Sequence, residues 1–224
     1  MIEVRDVTHS YGDRTVLWAV SVTLTERRVA VIGANGSGKS TFARLLNGLV
    51  LPRHGEVIVH GLSTRSAVAA VRRTVGFVFT DPDAQIVMPT VAEDVAFGLR
   101  QRKLDDAETR RRVFAALSDV GLEIFGDHPA HLLSSGQKQL LALCSVLVTE
   151  PRVLVCDEPT TLLDRRNTRQ VLEILDRLPQ QVILVTHDLE SVSAYDRVLV
   201  FDEGRLVADG SPRTAVDHYR ELAG

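Results

Sequence analysis

The apolar run Val29-Ala30-Val31-Ile32 passes directly into Gly33-Ala34-Asn35-Gly36-Ser37-Gly38-Lys39-Ser40, and a helical pattern from Thr41 to Leu49 follows at once. No other feature constrains the chain as strongly. A β-type run, a glycine-rich turn and a helix, in that order, make the first half of a βα unit. The glycine spacing ahead of Lys39 and Ser40 matches the phosphate-loop pattern. Glycines at 33, 36 and 38 permit backbone angles that aim several N–H groups inward, and the following helix adds its positive N-terminal end. Lys39 can then reach the β and γ phosphates, and the Ser40 hydroxyl can ligate Mg²⁺. Residues Gly33 to Thr41 are therefore predicted to bind a nucleotide.

The rest of the chain can be organised around this unit. Ile2–Val7, Val16–Leu24 and Glu56–Val59 read as strands, with a turn at Tyr11-Gly12-Asp13. From about Pro82 to Val148 the pattern turns helical, with helices predicted over Asp105–Val120 and Gln137–Val148. Val153–Cys156, Val182–Thr186 and Arg197–Phe201 are short and rich in Val, Leu and Ile, as parallel strands buried on both faces should be. Arg169–Leu178 reads as a helix stopped by Pro179, Asp202-Glu203-Gly204 as a hairpin turn, and Thr214–Leu222 as a last helix. The architecture expected is an α/β core from both ends of the chain with a helical insert in the middle.

Composition narrows the function classes. Twenty-six Lys and Arg stand against 29 Asp and Glu, a formal charge of −3 that gives no footprint for nucleic acid. The short pairs and triplets of arginine (Arg72–Arg73, Arg110–Arg112, Arg165–Arg166) read as solvated helix faces. The start, Met1 to Asp6, carries charge where a signal peptide needs an apolar run. The longest apolar stretch, Leu140 to Val148, falls short of the ~20 residues that span a bilayer. The chain is thus expected to be neither exported nor membrane-spanning. Cys144 and Cys156 both lie in apolar runs and are expected to be buried, reduced thiols.

Two further strands end in chemistry. Leu154-Val155-Cys156-Asp157-Glu158-Pro159 delivers two acids to a strand's C-terminal end, where α/β sheets bind ligands. Asp157 is placed to hold Mg²⁺ through water, and Glu158 to polarise an attacking water. Val182 to Asp188 repeats the design and brings His187 to the same edge.

With Leu133-Ser134-Ser135-Gly136-Gln137 added, the combination resembles the nucleotide-binding domains of ABC ATPases over essentially the whole chain. The signature of that family usually has glycine where Ser135 stands. The resemblance implies a P-loop NTPase core, an N-terminal antiparallel β subdomain and an inserted helical subdomain. On this basis 1–224 is a single ABC ATPase domain, with 1–80 and 149–224 forming the core and β subdomain and 81–148 the helical subdomain. It further implies that Ser134, Ser135, Gly136 and Gln137 bind the γ-phosphate of ATP held by an opposing subunit in a head-to-tail dimer. Tyr11 resembles the aromatic residue that stacks on adenine, a contact worth ~1–3 kcal/mol by analogy with base stacking. Glu158 resembles the catalytic base, Asp157 the Mg²⁺ acid, His187 the switch histidine, and Asp164 of Leu162-Leu163-Asp164 the end of the loop that feels the partner's site. Thr80 departs from the pattern. The family usually has glutamine there, reaching Mg²⁺ and the attacking water, and a threonine hydroxyl sits on a shorter arm.

The stretch Asp81 to Gly98 looks like the ATPases of energy-coupling-factor importers of prokaryotes, which take up vitamins and transition-metal ions. This likeness implies a transmembrane coupling protein, a membrane-embedded substrate-binding protein and a second ATPase subunit, the same or different, as partners. The place implied is the cytoplasmic face of the cell membrane. Gln85 would lie on a short helix lining the groove for a coupling helix, with Ile86, Val87 and Met88 as apolar contacts. Phe79 to Pro89 looks most like biotin-importing members, since metal-importing members tend to show Gln at the place of Thr80 and an acid at that of Ala84. A cobalt or nickel importer and a non-transport ABC ATPase are the alternatives. The end at Gly224 implies that the C-terminal extension of some members is lacking.

Overall fold

The computed structural model describes residues 1–223. Along the chain run β1 (Ile2–Tyr11), β2 (Arg14–Leu24), β3 (Arg28–Gly33), α1 (Lys39–Leu46), β4 (His54–Val59), β5 (Leu62–Ser63), α2 (Val68–Thr74) and β6 (Val75–Val78). Then follow α3 (Val91–Leu99), α4 (Asp106–Asp119), α5 (Ser135–Leu147), β7 (Val153–Asp157), α6 (Arg165–Arg177), β8 (Gln181–Val185), β9 (Arg197–Asp202), β10 (Arg205–Gly210) and α7 (Pro212–Ala223). These fall into two units, one of Met1–Val75, Arg152–Glu158 and Pro179–Gly224, the other of Gly76–Pro151 and Pro159–Leu178.

The first unit holds an antiparallel sheet in the order β2-β1-β4-β5. Its alternation is that of a half-buried sheet, with Ile2, Val4, Val20, Val22, Leu24, Val57 and Val59 inside. Within this unit a second sheet runs β10-β9-β3-β8-β7, and β3, β7, β8 and β9 are parallel. Val29 to Ile32 are fully buried, each worth roughly 1–3 kcal/mol of transfer free energy depending on size. Helix α1 packs on β3, β7 and β8, and Phe42 meets Phe201 of β9 with ring centroids 4.9 Å apart. The helix stops at Asn47, where Gly48 takes the left-handed conformation (φ +69°) that closes helix ends. Because the four parallel strands share one direction, the residues after β3, β7 and β8 emerge at one edge. Cys144, in the second unit, and Cys156 are both free and buried, and burial pushes the Cys144 thiol up to about 12.

The second unit is mainly helical. Each of its four α-helices begins at a side-chain cap, Thr90, Asp105, Ser134 or Asp164, and those of α3 and α5 are full capping boxes with Glu93 and Gln137. Helix α3 packs on α4 and α5 around Val91, Val95, Leu99, Leu140, Leu141 and Leu143. Glu108 pairs with Arg111 and Arg112 on α4, and these guanidiniums hold its carboxyl down at about 2.

The segment after β6 is held by hydrogen bonds within its own unit. Only Pro82–Ala84 forms a turn of 3-10 helix, and Gln85 is turned to the protein itself: its Oε1 accepts from the Phe79 amide (3.1 Å) and its Nε2 donates to the Ala142 carbonyl (2.9 Å). Buried Asp94 accepts from the amides of Val87 (2.9 Å) and Met88 (3.1 Å) and from Ser145 Oγ (2.8 Å). These bonds pin the loop, so Ile86 and Met88 are half-buried while Val87 stands 63% exposed.

Candidate functional site

The glycines of the loop after β3 are explained by what crowds them. A Cβ on Gly33 would sit 2.1 Å from the Phe201 carbonyl oxygen, and one on Gly38 would meet the Val16 carbonyl oxygen at 2.7 Å. Both also have positive φ, +147° and +101°. The loop is tied down further by the Gly204 amide, which donates to the Ser37 carbonyl at 3.1 Å. Arg44 and Gly204 are not legible as site neighbours in the sequence, because Arg44 meets Asp157 and Gly204 meets Ser37 only through the fold.

Helix α1 starts without a side-chain cap and without an acid in its first turn, so its N-terminal amides are available to an anion. Lys39 is buried, and its Nζ donates to the carbonyls of Gly33 and Ala34, both at 2.9 Å. Burial pulls its pKa down, against the opposing pull of Glu158 and Asp157. The Ser37 side chain is buried too, and its Oγ has no hydrogen-bond partner among the described residues. A buried ammonium held by two backbone carbonyls, an orphan hydroxyl and uncapped amides gather donors at one place, as a phosphate-binding loop requires.

Across from the loop, Ser40 Oγ donates to Asp157 Oδ1 at 2.8 Å, and Arg44 lies 3.8 Å from Asp157 Oδ2. Asp157 is 1% exposed, and burial raises its pKa above the ordinary carboxylate value despite Ser40 and Arg44. A raised carboxylate pKa marks a place where added positive charge is welcome. The next residue, Glu158, is a non-glycine in the left-handed region (φ +53°), with its amide held by the Val185 carbonyl at 3.0 Å. This turn aims its carboxylate at His187, whose Nδ1 lies 2.6 Å from Glu158 Oε2. The structure therefore brings together Gly33 to Thr41, Asp157, Glu158 and His187. Strand β2, which returns from the turn after Tyr11, touches this loop at Gly38, and Tyr11 itself is 48% exposed.

Thr80, Ser134, Ser135, Gly136, Gln137 and Asp164 all belong to the second unit. There Ser134 caps α5, Ser135 to Gln137 form its first turn, and Asp164 caps α6 through the Asn167 amide (2.8 Å). Lys138, on the same turn of α5, pairs with Asp83 at 2.7 Å. A cavity of about 140 Å³ beside this pair is lined by Asp81, Ser135, Gln139, Leu162 and Leu163 among others. Among the described residues no helix is long and apolar enough to cross a membrane.

Residues 18–161 match the family model described as ABC transporter. A biotin transport ATP-binding protein of Rhizobium etli is 48% identical over 96% of this chain and 95% of its own length. A cobalt import ATP-binding protein of Syntrophus aciditrophicus is 44% identical over 95% of this chain and 79% of its length. An energy-coupling factor transporter ATP-binding protein of Syntrophomonas wolfei is 42% identical over 95% and 81%. Among solved structures, a Clostridium perfringens protein described as part of an ABC transporter complex superposes with a TM-score of 0.86. That match covers 99% of this chain and 92% of that one at 34% identity. The chain belongs to the ABC transporter family, as an ATP-binding, ATP-hydrolysing subunit of its energy-coupling-factor type.

Proposed function

We propose that this chain powers the import of biotin through separate membrane proteins, using ATP bound with Mg²⁺ at the edge of the parallel sheet. The observation that carries the chemical part is the meeting of Lys39, Ser40, Asp157, Glu158 and His187 after three parallel strands. Gly33 to Thr41 wrap the phosphates, and Tyr11 stacks on the adenine. Ser40 and Asp157 fit Mg²⁺, which needs only one or two protein ligands because phosphate oxygens and water supply the rest. When bound, Mg²⁺ neutralises phosphate charge. Glu158 accepts the proton of the attacking water, and His187, bonded to Glu158, holds that carboxylate in place and responds to the γ-phosphate. Thr80 contributes a hydroxyl where a glutamine is usual, so its contact with the water or cation is weaker or passes through a water molecule.

The chain works as one ABC ATPase domain in which 1–80 and 149–224 bind nucleotide and 81–148 is the helical subdomain. It pairs with a second ATPase subunit, so that Ser134 to Gln137 and Asp164 of one face the ATP of the other. Val87, with half-buried Ile86 and Met88, offers an apolar seat for an amphipathic helix of a transmembrane coupling protein. The chain would then sit on the cytoplasmic face of the membrane, beside a membrane-embedded protein that binds the cargo.

Biotin is favoured by Thr80 and Ala84 and by the relative from Rhizobium etli, while the cobalt import relative supports the second reading. Uptake separates them. In a strain lacking the gene, uptake of labelled biotin at nanomolar supply should fall and cobalt uptake should not. A loss of cobalt or nickel uptake with biotin uptake intact overturns the cargo and leaves the ATPase assignment standing.

A further inference from the structure

Gly136 sits in the first turn of α5, buried, and its backbone is not in the left-handed region. Conformational freedom therefore does not explain a glycine here. Space does. An added Cβ would lie 2.4 Å from Asn167 Cγ, 2.5 Å from Nδ2 and 2.6 Å from Oδ1, all side-chain atoms of one residue. Asn167 cannot easily step aside, because Asp164 holds it at two points. Its amide donates to Asp164 Oδ1 at 2.8 Å, and its Nδ2 donates to Asp164 Oδ2 at 3.1 Å.

We propose that Asn167 is a positioning residue: it joins the Asp164 turn to the first turn of α5, and position 136 is glycine to admit it. Any shift of Asp164 is carried by the Asn167 amide group onto Gly136, and so onto the amides of Ser135 to Gln137. Packed contacts of this kind move as a unit rather than deform. The functional half of this rests on the reading that both turns face a second subunit's ATP; the steric half does not.

The test is a double-mutant cycle of Gly136→Ala and Asn167→Ala in a Glu158→Gln background, where slow hydrolysis should let ATP-bound dimers accumulate. Dimerisation is read by size-exclusion with light scattering under MgATP, and thermal melting is read without nucleotide. Gly136→Ala alone should weaken the dimer about tenfold, the scale of coupling between touching residues. Asn167→Ala alone should weaken it by a few-fold and leave ATP affinity, measured at a protein concentration too low for dimers, unchanged because the phosphate loop is untouched. With Asn167 already Ala, adding Gly136→Ala should cost nothing further in dimerisation or melting. An equal cost of Gly136→Ala in both backgrounds overturns the steric claim. A dimer unaffected by Asn167→Ala overturns the positioning role. If the parental Glu158→Gln protein stays monomeric with MgATP, the two-subunit reading falls and takes that role with it, while the melting cycle still decides the Gly136–Asn167 contact.

Discussion

Asp157→Asn should make the nucleotide-free protein more stable and its MgATP complex weaker. The carboxylate is 1% exposed and its pKa is raised, chiefly by burial. An acid with a raised folded-state pKa costs stability wherever it is ionised. That cost is absent below the ordinary value of 3.8, opens as pH rises past it, and is complete above the folded-state pKa. Burying an ion costs several kcal/mol before compensation. The Ser40 hydroxyl returns about 1.5–3 kcal/mol of it as a charge-assisted bond, which falls to about 1 with a neutral amide. Arg44 is 3.8 Å away with its side chain 42% exposed, so solvent screening leaves it under about 1 kcal/mol. The balance favours the variant by about 1–2 kcal/mol at neutral pH, a rise of roughly 2–8 °C in melting temperature for a chain of this size. With ligand at about 100 Kd, linkage stabilises the wild type by ~2.7 kcal/mol, and a tenfold loss of affinity cuts this to ~1.4. Differential scanning fluorimetry between pH 4 and 8, with and without MgATP, reads both effects. A nucleotide-free variant that melts below wild type at pH 7, or a difference that ignores pH, refutes the reasoning.

Lys39→Ala should abolish most of the MgATP-induced melting shift, itself about 5–10 °C at 100 Kd; an undiminished shift would count against the phosphate loop. Ser135→Glu should keep nucleotide affinity yet prevent ATP-dependent pairing, by setting a negative charge against the partner's γ-phosphate. Equal loss of binding and hydrolysis would mean that this turn acts within one subunit. Val87→Asp, at a residue already 63% exposed, should release the chain from membranes and leave nucleotide-induced stabilisation in place. Continued membrane association, measured by fractionation, would move the docking surface elsewhere.

The parts legible in the sequence were those whose cause is local. Strand β3, its loop and α1 are consecutive, and β7, β8 and β9 carry unbroken Val, Leu and Ile runs. Two helices start earlier than the apolar pattern predicts: α5 begins at Ser135 and α6 at Arg165, just after their caps at Ser134 and Asp164. Helix α3 is not among the helices predicted from the apolar pattern, and its local signal is the capping box of Thr90 and Glu93, three residues apart. The pinned loop after β6 was out of reach, because Gln85 is satisfied by Ala142 and Asp94 by Ser145, more than fifty residues away in sequence. The clash that keeps position 136 a glycine is likewise set by Asn167, on a different helix.

The most direct test of the chemistry assigned to the sheet edge is ATP turnover by Glu158→Gln, with ATP binding measured on the same preparation. Removing a positioned general base should lower turnover by about 100-fold or more. Binding should survive, because Lys39, Ser40 and Asp157 keep their contacts. Turnover at the wild-type rate, or loss of binding together with turnover, would contradict the role given to Glu158 and with it the arrangement of the site.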